Sequence, residues 1–136
     1  MSDTQLVVFE LDGILYAFRI TDVYEILKVP TITPLPQMPA HVEGVINLRG
    51  RVIPVVNLRS RLGLSKMTVG QDTRIILVKS QEKELGVVVD RVLEVNTYRE
   101  EEMEAPETRG EGRSVLRGIV KKKEKMWLVL DLARIA

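Results

Sequence analysis

An internal repeat constrains the fold of this 136-residue chain more than any other feature. Residues 44–58, GVINLRGRVIPVVNL, align without a gap on residues 118–132, GIVKKKEKMWLVLDL, at a constant offset of 74. Residues 17–26 align in the same chain order on residues 86–95, at an offset of 69. Apolar matches are common among β proteins, but here glycine, glutamate and Asn/Asp positions match as well. Two such alignments in one order indicate a duplication.

The repeat predicts the architecture. Runs of Val, Ile and Leu, separated by turn residues, are typical of short strands. Each half then contains a hairpin, a linker and a second hairpin. Strands this short avoid open edges best by curling into small barrels. We therefore predict an all-β fold of two packed barrels in a single domain, 1–136, with repeat halves at 5–62 and 73–135.

Turn signals locate the hairpins. Asp12-Gly13 accepts the positive φ angles of a primed turn, and Gly50 divides the next pair of strands. A third hairpin is predicted between residues 73–79 and 85–95, and a fourth between SVLRGIVKK and KMWLVLDL near the end of the chain.

Three other segments have different predictions. Residues 21–27, TDVYEIL, place Val23, Ile26 and Leu27 on one side of a short helix that Thr21 could cap. Asp131 is predicted to cap a last helical turn. The polar, acidic stretch 97–113 is predicted to be a mobile loop.

Composition excludes several kinds of chemistry. The chain has no cysteine, which rules out disulfides, thiolate metal sites and a cysteine nucleophile. Its one histidine, His41, follows a proline-rich stretch and is expected to be a surface or packing residue. The glutamates between 100 and 104 lack the spaced Asp/Asn and central glycine of a calcium loop. We predict no catalytic function, no cofactor and no metal.

Charge and hydropathy bear on partners and location. Lys and Arg number 20 against 19 Asp and Glu, so no overall field attracts the protein to nucleic acid or a membrane. No apolar run approaches the ~18 residues of a membrane span. The N-terminal sequence lacks the basic start and small-residue cleavage site of a signal peptide. We expect a cytoplasmic protein without direct membrane insertion.

Several segments of the chain resemble a known protein family. EGVINLRGRVIPVVNLRSRLGL, preceded by AFRITDVYEIL and a proline-rich linker, resembles the CheW-like family of chemotaxis coupling domains. LGVVVDRVLEV and the closing GIVKKKEKMWLVLDLARI resemble it too, so the match runs from about Leu6 to Ile135. The length has room for a stand-alone coupling protein, but not for the phosphorylated and ATP-binding domains of the kinase CheA or the receiver of CheV.

The resemblance implies a fold and a function. The fold would be two interlocked, five-stranded SH3-like barrels with short helices. The function would be that of a non-enzymatic scaffold that binds the CheA regulatory domain and the cytoplasmic tip of methyl-accepting chemoreceptors. The protein would then be recruited to polar, membrane-associated receptor arrays, with a receptor helix in an apolar groove between the barrels.

The resemblance also implies site residues. Those expected at the receptor groove are Ile20, Val23, Glu25, Gly44, Arg49 and Arg74. At position 74 relatives often carry an apolar residue, and in the 97–113 loop some carry an aromatic residue that contributes to packing with the kinase. This loop offers Tyr98 and then mostly glutamates.

Three further residues of the repeated hairpin are expected to have structural roles: Asn47, Gly50 and Asn57. The second repeat replaces NLRG (47–50) by KKKE (121–124), so only the first copy keeps Asn47 and Arg49. The shorter N-L-R echo, which ends at Arg59, is interpreted as incidental because Ala133 occupies the matching position.

An alternative function comes from another class. Small SH3-like and OB-like barrels often bind nucleic acid. The near-neutral charge and an aromatic content of only 4% disfavour it. An enzyme is disfavoured by the lone histidine and the absence of cysteine.

Overall fold

The structure, a computed structural model, describes residues 4–64, 69–105, 115–122 and 124–135. The strands, numbered in chain order, are β1 (Thr4–Leu11), β2 (Ile14–Arg19), β3 (Val23–Lys28), β4 (Val42–Leu48), β5 (Arg51–Val56), β6 (Arg74–Ser80), β7 (Lys83–Val89), β8 (Arg91–Tyr98), β9 (Met103–Glu104), β10 (Leu116–Lys122) and β11 (Lys125–Leu130). The α-helices are α1 (Leu58–Arg61) and α2 (Leu132–Ile135), and short 3₁₀ helices occupy Ile20–Asp22 and Glu100–Glu102. The all-β class is confirmed.

The two sheets show how the halves are interlocked. One sheet has the order β8-β1-β2-β11-β10-β9 and the other the order β3-β6-β7-β5-β4. Each sheet takes its β1–β2 or β6–β7 hairpin from one half of the chain and its remaining strands from the other. The parallel pairs β2–β11 and β5–β7 join the two halves.

Corresponding strands stand in the same order in both sheets. The match includes the bridge between Thr33 and Val45 in β4, which takes the place that β9 has beside β10. This order supports the predicted duplication. The closure of each sheet into an SH3-like barrel, and the boundaries of the halves, stay predictions.

Buried apolar residues form three clusters. One lies in the first sheet around Trp127 and Val120, and a second lies in the other sheet around Ile53 and Ile75. The third draws on both sheets and both helices, with Phe9 among its members. This third cluster holds the two sheets together.

The helix predicted at 21–27 is wrong. Ile20–Asp22 form a single 3₁₀ turn, and Val23–Lys28 form β3, which pairs antiparallel with β6. Val23, Tyr24 and Ile26 are β-branched or aromatic residues that suit a strand. Backbone pairing along β6 outweighs the helical spacing of the apolar positions.

The strand predicted at 85–95 is interrupted at Asp90. Only β7, which ends at Val89, pairs with β6, while β8 pairs with β1 in the other sheet. The chain changes sheets at Asp90, whose backbone N–H donates to the Glu10 carbonyl at 3.1 Å.

The predicted loop at 97–113 is only partly described. Tyr98 ends β8, a 3₁₀ turn and β9 follow, and residues 106–114 lie outside the described part of the chain. The Asp12-Gly13 turn is confirmed, with φ of 53° and 80°. The cap at Asp131 is confirmed too, since its Oδ1 accepts from the Ala133 N–H at 3.1 Å.

Candidate partner-binding site

The centre of the candidate site is an ion pair between Arg49 and Glu25. Arg49 and Gly50 form the two-residue turn between β4 and β5, with φ of 50° and 84°. Positive φ at both positions is what a primed hairpin turn requires, although it is uncommon for a non-glycine residue. From this turn the Arg49 Nη2 donates to Glu25 Oε2 at 2.8 Å and to Oε1 at 3.1 Å. The bidentate contact fixes the direction of an exposed guanidinium.

A second polar group is formed by side chains of β3, β7 and β5 in the same sheet. The Tyr24 hydroxyl donates to Glu84 on β7, and Arg51 at the start of β5 also donates to Glu84. The hydrogen bond from Tyr24 is the largest cause and lowers the pKa of Glu84, burial opposes it, and the nearby Arg51 charge adds to the lowering. Burial and the Glu84 contact raise the pKa of Tyr24 to about 12. The two arginines and two glutamates of these groups balance one another in charge.

All three tyrosines are expected to resist ionisation. Burial is the largest cause that raises the pKa of Tyr16, Tyr24 and Tyr98. A raised folded-state pKa stabilises the protein fully below the unfolded value of about 10. That stability is lost as the pH rises through the folded values, which for Tyr24 means between pH 10 and about 12.

The measurement is an ultraviolet tyrosinate titration of native and urea-unfolded protein. The native curve should be displaced to higher pH, and Tyr24→Phe should remove one of the delayed steps. A native curve that coincides with the unfolded curve would contradict the burial of these hydroxyls.

Exposed apolar side chains occur on the same strands as the polar groups. Tyr24 and Ile26 on β3 are 41% and 42% exposed, and Val52 on β5 is 66% exposed. Val23 is half-buried and packs against the cluster shared by the two sheets. Ile20 is half-buried in the 3₁₀ turn that precedes β3. These strands therefore carry exposed apolar side chains as well as fixed charges, a combination that suits a protein partner.

Gly44 and Arg74 have different surroundings from the ion pair. A Cβ added to Gly44 would lie 2.4 Å from the Thr33 carbonyl oxygen, so Gly44 permits the close approach of two backbones. Arg74 lies opposite Lys28, at the far end of β3 from Val23. Its Nη1 donates to the carbonyls of Thr73 and Gln71 at 2.8 and 2.9 Å. The structure brings Glu25 and Arg49 together and leaves Arg74 apart from them.

The three hairpin residues make local hydrogen bonds. Asn47 Oδ1 accepts from the Gly50 N–H at 3.1 Å, which closes the turn that carries Arg49. Asn57 Oδ1 accepts from the Arg59 N–H at 2.9 Å and so caps α1, as Asp131 caps α2. Asn57 Nδ2 also donates to Glu43 at 2.6 Å.

Sequence reasoning missed one residue, Arg59. Its Nη2 donates to both carboxylate oxygens of Asp90, at 2.9 and 2.7 Å, and its side chain is only 10% exposed. Asp90 Oδ2 also accepts from the Asp12 N–H at 2.8 Å. No role was predicted for Arg59, whose side chain ties α1 to the corner where the chain changes sheets, whereas the first N-L-R leads into a hairpin turn. The sequence signal for this role was the basic residue Arg59 close after the apolar end of β5.

The described residues contain neither a metal-binding cluster nor a membrane-spanning helix. No group of three or more His, Asp or Glu side chains is placed to hold a metal ion within 4–64, 69–105, 115–122 and 124–135. None of the helices in that part of the chain is long and apolar enough to cross a membrane.

Comparison with known proteins supplies the family. The model of the CheW-like domain matches residues 5–136. The chemotaxis protein CheW of Thermotoga maritima is 33% identical over 99% of this chain and 89% of its own length, and that of Bacillus subtilis is 36% identical over 93% and 83%. The crystal structure of the scaffolding protein TtCheW from Thermoanaerobacter tengcongensis superimposes with a TM-score of 0.88 at 37% identity, and covers 95% of this chain and 89% of that one.

Proposed function

This chain belongs to the CheW-like family of chemotaxis adaptors, and we propose that it couples methyl-accepting chemoreceptors to the histidine kinase CheA. It acts as a non-enzymatic scaffold. One surface binds the cytoplasmic tip of a receptor and another binds the CheA regulatory domain. Together these contacts support array assembly and kinase control.

The observation that carries the receptor part of the proposal is the Arg49–Glu25 pair. It joins the β4–β5 turn to β3, the strand that carries Val23, next to exposed Tyr24 and Ile26. A receptor helix packed there would bury apolar area against β3 and meet a guanidinium whose direction is already set. Ile20 and Val23 would contribute apolar contacts, and Gly44 would keep the backbone close to Thr33.

Arg74 has a separate role in the proposal. It lies at the other end of β3 from the Arg49–Glu25 pair. We assign it to the edge of the receptor surface, and the variant Arg74→Ala tests whether it contributes to binding.

The charges disfavour the nucleic-acid alternative. The ion pairs Arg49–Glu25 and Arg51–Glu84 neutralise the arginines that a phosphate backbone would need. If the protein nevertheless bound an oligonucleotide, with an affinity that fell steeply with salt, this alternative would replace the adaptor proposal.

The direct experiment is a pair of titrations by isothermal calorimetry. The protein is titrated with a receptor-tip fragment and, separately, with a CheA regulatory domain. Binding of each at roughly tens of micromolar or tighter is expected for a transient signalling interface. Failure of both partners to bind would refute the proposed coupling.

Arg49→Ala should weaken receptor binding and leave the fold intact. The Arg49 side chain is 62% exposed, so loss of its ion pair should change the free energy of unfolding by less than about 1 kcal/mol. Loss of the receptor contact should raise the dissociation constant about tenfold, by analogy with other arginine contacts at interfaces. Thermal unfolding, run beside the titration, separates the two effects. An unfolded variant, or unchanged receptor affinity, would contradict the assigned role.

A further inference from the structure

The direction of the Arg49 guanidinium depends on a turn that has little packing support. The Arg49 side chain is 62% exposed. A Cβ added to Gly50, the next residue of the turn, would meet no atom of the described chain within 4 Å apart from those of its chain neighbours. The β4–β5 turn therefore projects into solvent, and its conformation depends on its own hydrogen bonds.

One of these hydrogen bonds involves a side chain. Asn47 Oδ1 accepts from the Gly50 N–H at 3.1 Å. Asparagine is favoured beside turns because its short side chain bonds to nearby backbone groups. Asn47 lies within β4, where it pairs with Val52 of β5. The hydrogen bond thus ties the second residue of the turn back to the paired strands.

The turn also has an arginine at a position that favours other residues. The first position of a primed turn requires a positive φ and favours Asn, Asp or Gly. Arg49 has a φ of 50° there, which is uncommon for a residue other than glycine. Asp12, at the same position of the β1–β2 turn, is the residue type expected. A residue in a sparsely populated conformation relies on its surroundings to stay there.

The second half of the chain forms the matching hairpin without this asparagine. Lys121 in β10 occupies the position that matches Asn47. A lysine side chain has no acceptor for a backbone N–H, and the Lys121 Nζ lies 3.7 Å from Glu104 Oε2. The strands β10 and β11 nevertheless pair along their length. Pairing of the two strands therefore does not require the asparagine, which points to a more specific role for Asn47.

We propose that Asn47 is a positioning residue for the receptor contact. It holds the β4–β5 turn in the conformation that directs Arg49 toward Glu25, and it does not touch the receptor itself. A guanidinium whose direction is already fixed loses less conformational freedom on binding, so Asn47 raises the affinity through Arg49. The inference rests on the proposed contact between Arg49 and the receptor.

Nuclear magnetic resonance tests the positioning without a receptor. In Asn47→Ala, the Gly50 amide should exchange with solvent about fivefold faster, the effect of one hydrogen bond. The heteronuclear Overhauser effect at Arg49 Nε should fall, because the side chain becomes mobile on the picosecond to nanosecond timescale. Asn47→Asp keeps an acceptor oxygen and should retain both native values. Unchanged mobility of Arg49 in Asn47→Ala would overturn the inference, whether or not a receptor fragment binds.

Titration with a receptor-tip fragment tests the consequence for binding. Asn47→Ala should raise the dissociation constant about fivefold, and Asn47→Asp should restore it. The matched control, Lys121→Ala, should leave the dissociation constant unchanged. Asn47 is exposed, so Asn47→Ala should keep its cooperative thermal transition. Loss of that transition, or native affinity in Asn47→Ala, would overturn the inference.

The double variant Asn47→Ala, Arg49→Ala separates positioning from direct contact. If Asn47 acts through Arg49, the double variant should bind the receptor fragment as Arg49→Ala does. Additive losses would mean that Asn47 contacts the receptor itself, and would overturn the inference. Native protein that binds no receptor fragment would instead refute the proposed coupling, and the resonance measurements would then decide whether Asn47 positions Arg49.

Discussion

Arg59→Ala should lower the free energy of unfolding by about 3 kcal/mol, and the Tm by roughly 10 °C in a chain of this size. The substitution removes a bidentate partner of Asp90 at a site where the arginine side chain is 10% exposed. Asp90 and Asp12 would then face each other, since Arg59 Nη1 also lies 4.0 Å from Asp12. Truncating one member of a mostly buried pair leaves the other charge poorly compensated, which is why the expected loss is large.

A matched control is Arg91→Ala. Arg91 pairs with Glu10 at 3.1 Å, but its side chain is 53% exposed, so we expect a loss below about 1 kcal/mol. Urea unfolding of both variants gives the comparison, and the double variant Arg59→Ala, Asp90→Ala should lose less than the sum of its two single changes. Equal losses for Arg59→Ala and Arg91→Ala would mean that the corner at Asp90 does not depend on this ion pair.

Gly44→Ala should be comparably destabilising, by about 3 kcal/mol, through steric overlap and backbone strain. The added Cβ would lie 2.4 Å from the Thr33 oxygen and 2.8 Å from its carbonyl carbon, and both are backbone atoms. Gly44 also has a φ of 153°, which disfavours a side chain. The segment at Thr33 must move, and the two hydrogen bonds that join it to Val45, at 2.8 and 2.9 Å, should break. Urea unfolding and amide exchange at Thr33 and Val45 measure both effects.

The repeat offers the control for this variant. Gly118 occupies the matching position, but the two nearest atoms to an added Cβ belong to the Met103 side chain, at 2.6 and 2.7 Å. A methionine side chain moves aside at modest cost, although the Glu104 oxygen at 2.9 Å remains close. Gly118→Ala should therefore lose about half as much stability as Gly44→Ala or less. A harmless Gly44→Ala would contradict this packing role and would leave direct contact with the receptor as the role of Gly44.

The repeat made most of the fold predictable. The offset of 74 aligned Gly44 with Gly118 and Asn57 with Asp131. Both glycines lie at a register shift between paired strands, and Asn57 and Asp131 each cap a short helix. The turn residues predicted where the hairpins lie, because turns with positive φ angles need particular residues. Strand exchange between halves was not visible in the pattern, since local hydrophobicity does not say which sheet a strand joins.

The two wrong assignments have a common physical cause. Residues 21–27 have apolar positions at helical spacing, and 85–95 have apolar residues on both sides of Asp90 and Arg91. In both cases pairing with a distant strand, β6 or β1, decides the outcome. Such contacts join residues far apart in sequence and leave no local signal.

The residues of the candidate site could be predicted, but the contacts between them could not. The family resemblance named Glu25 and Arg49, but nothing in the sequence indicates that they pair with each other. That contact depends on the positive φ of Arg49 in its turn and on the strand that replaced the predicted helix. The buried role of Arg59 was missed because its partner, Asp90, lies 31 positions away.

The most direct test of receptor–kinase coupling is a reconstituted kinase assay. Receptor-tip fragments and CheA are mixed with and without this protein, and the rate of CheA autophosphorylation is measured. We predict that the rate rises well above the basal value only when the protein is present, and that Arg49→Ala largely abolishes the increase while it retains its thermal transition. An unchanged rate in the presence of the folded native protein would contradict the proposed coupling.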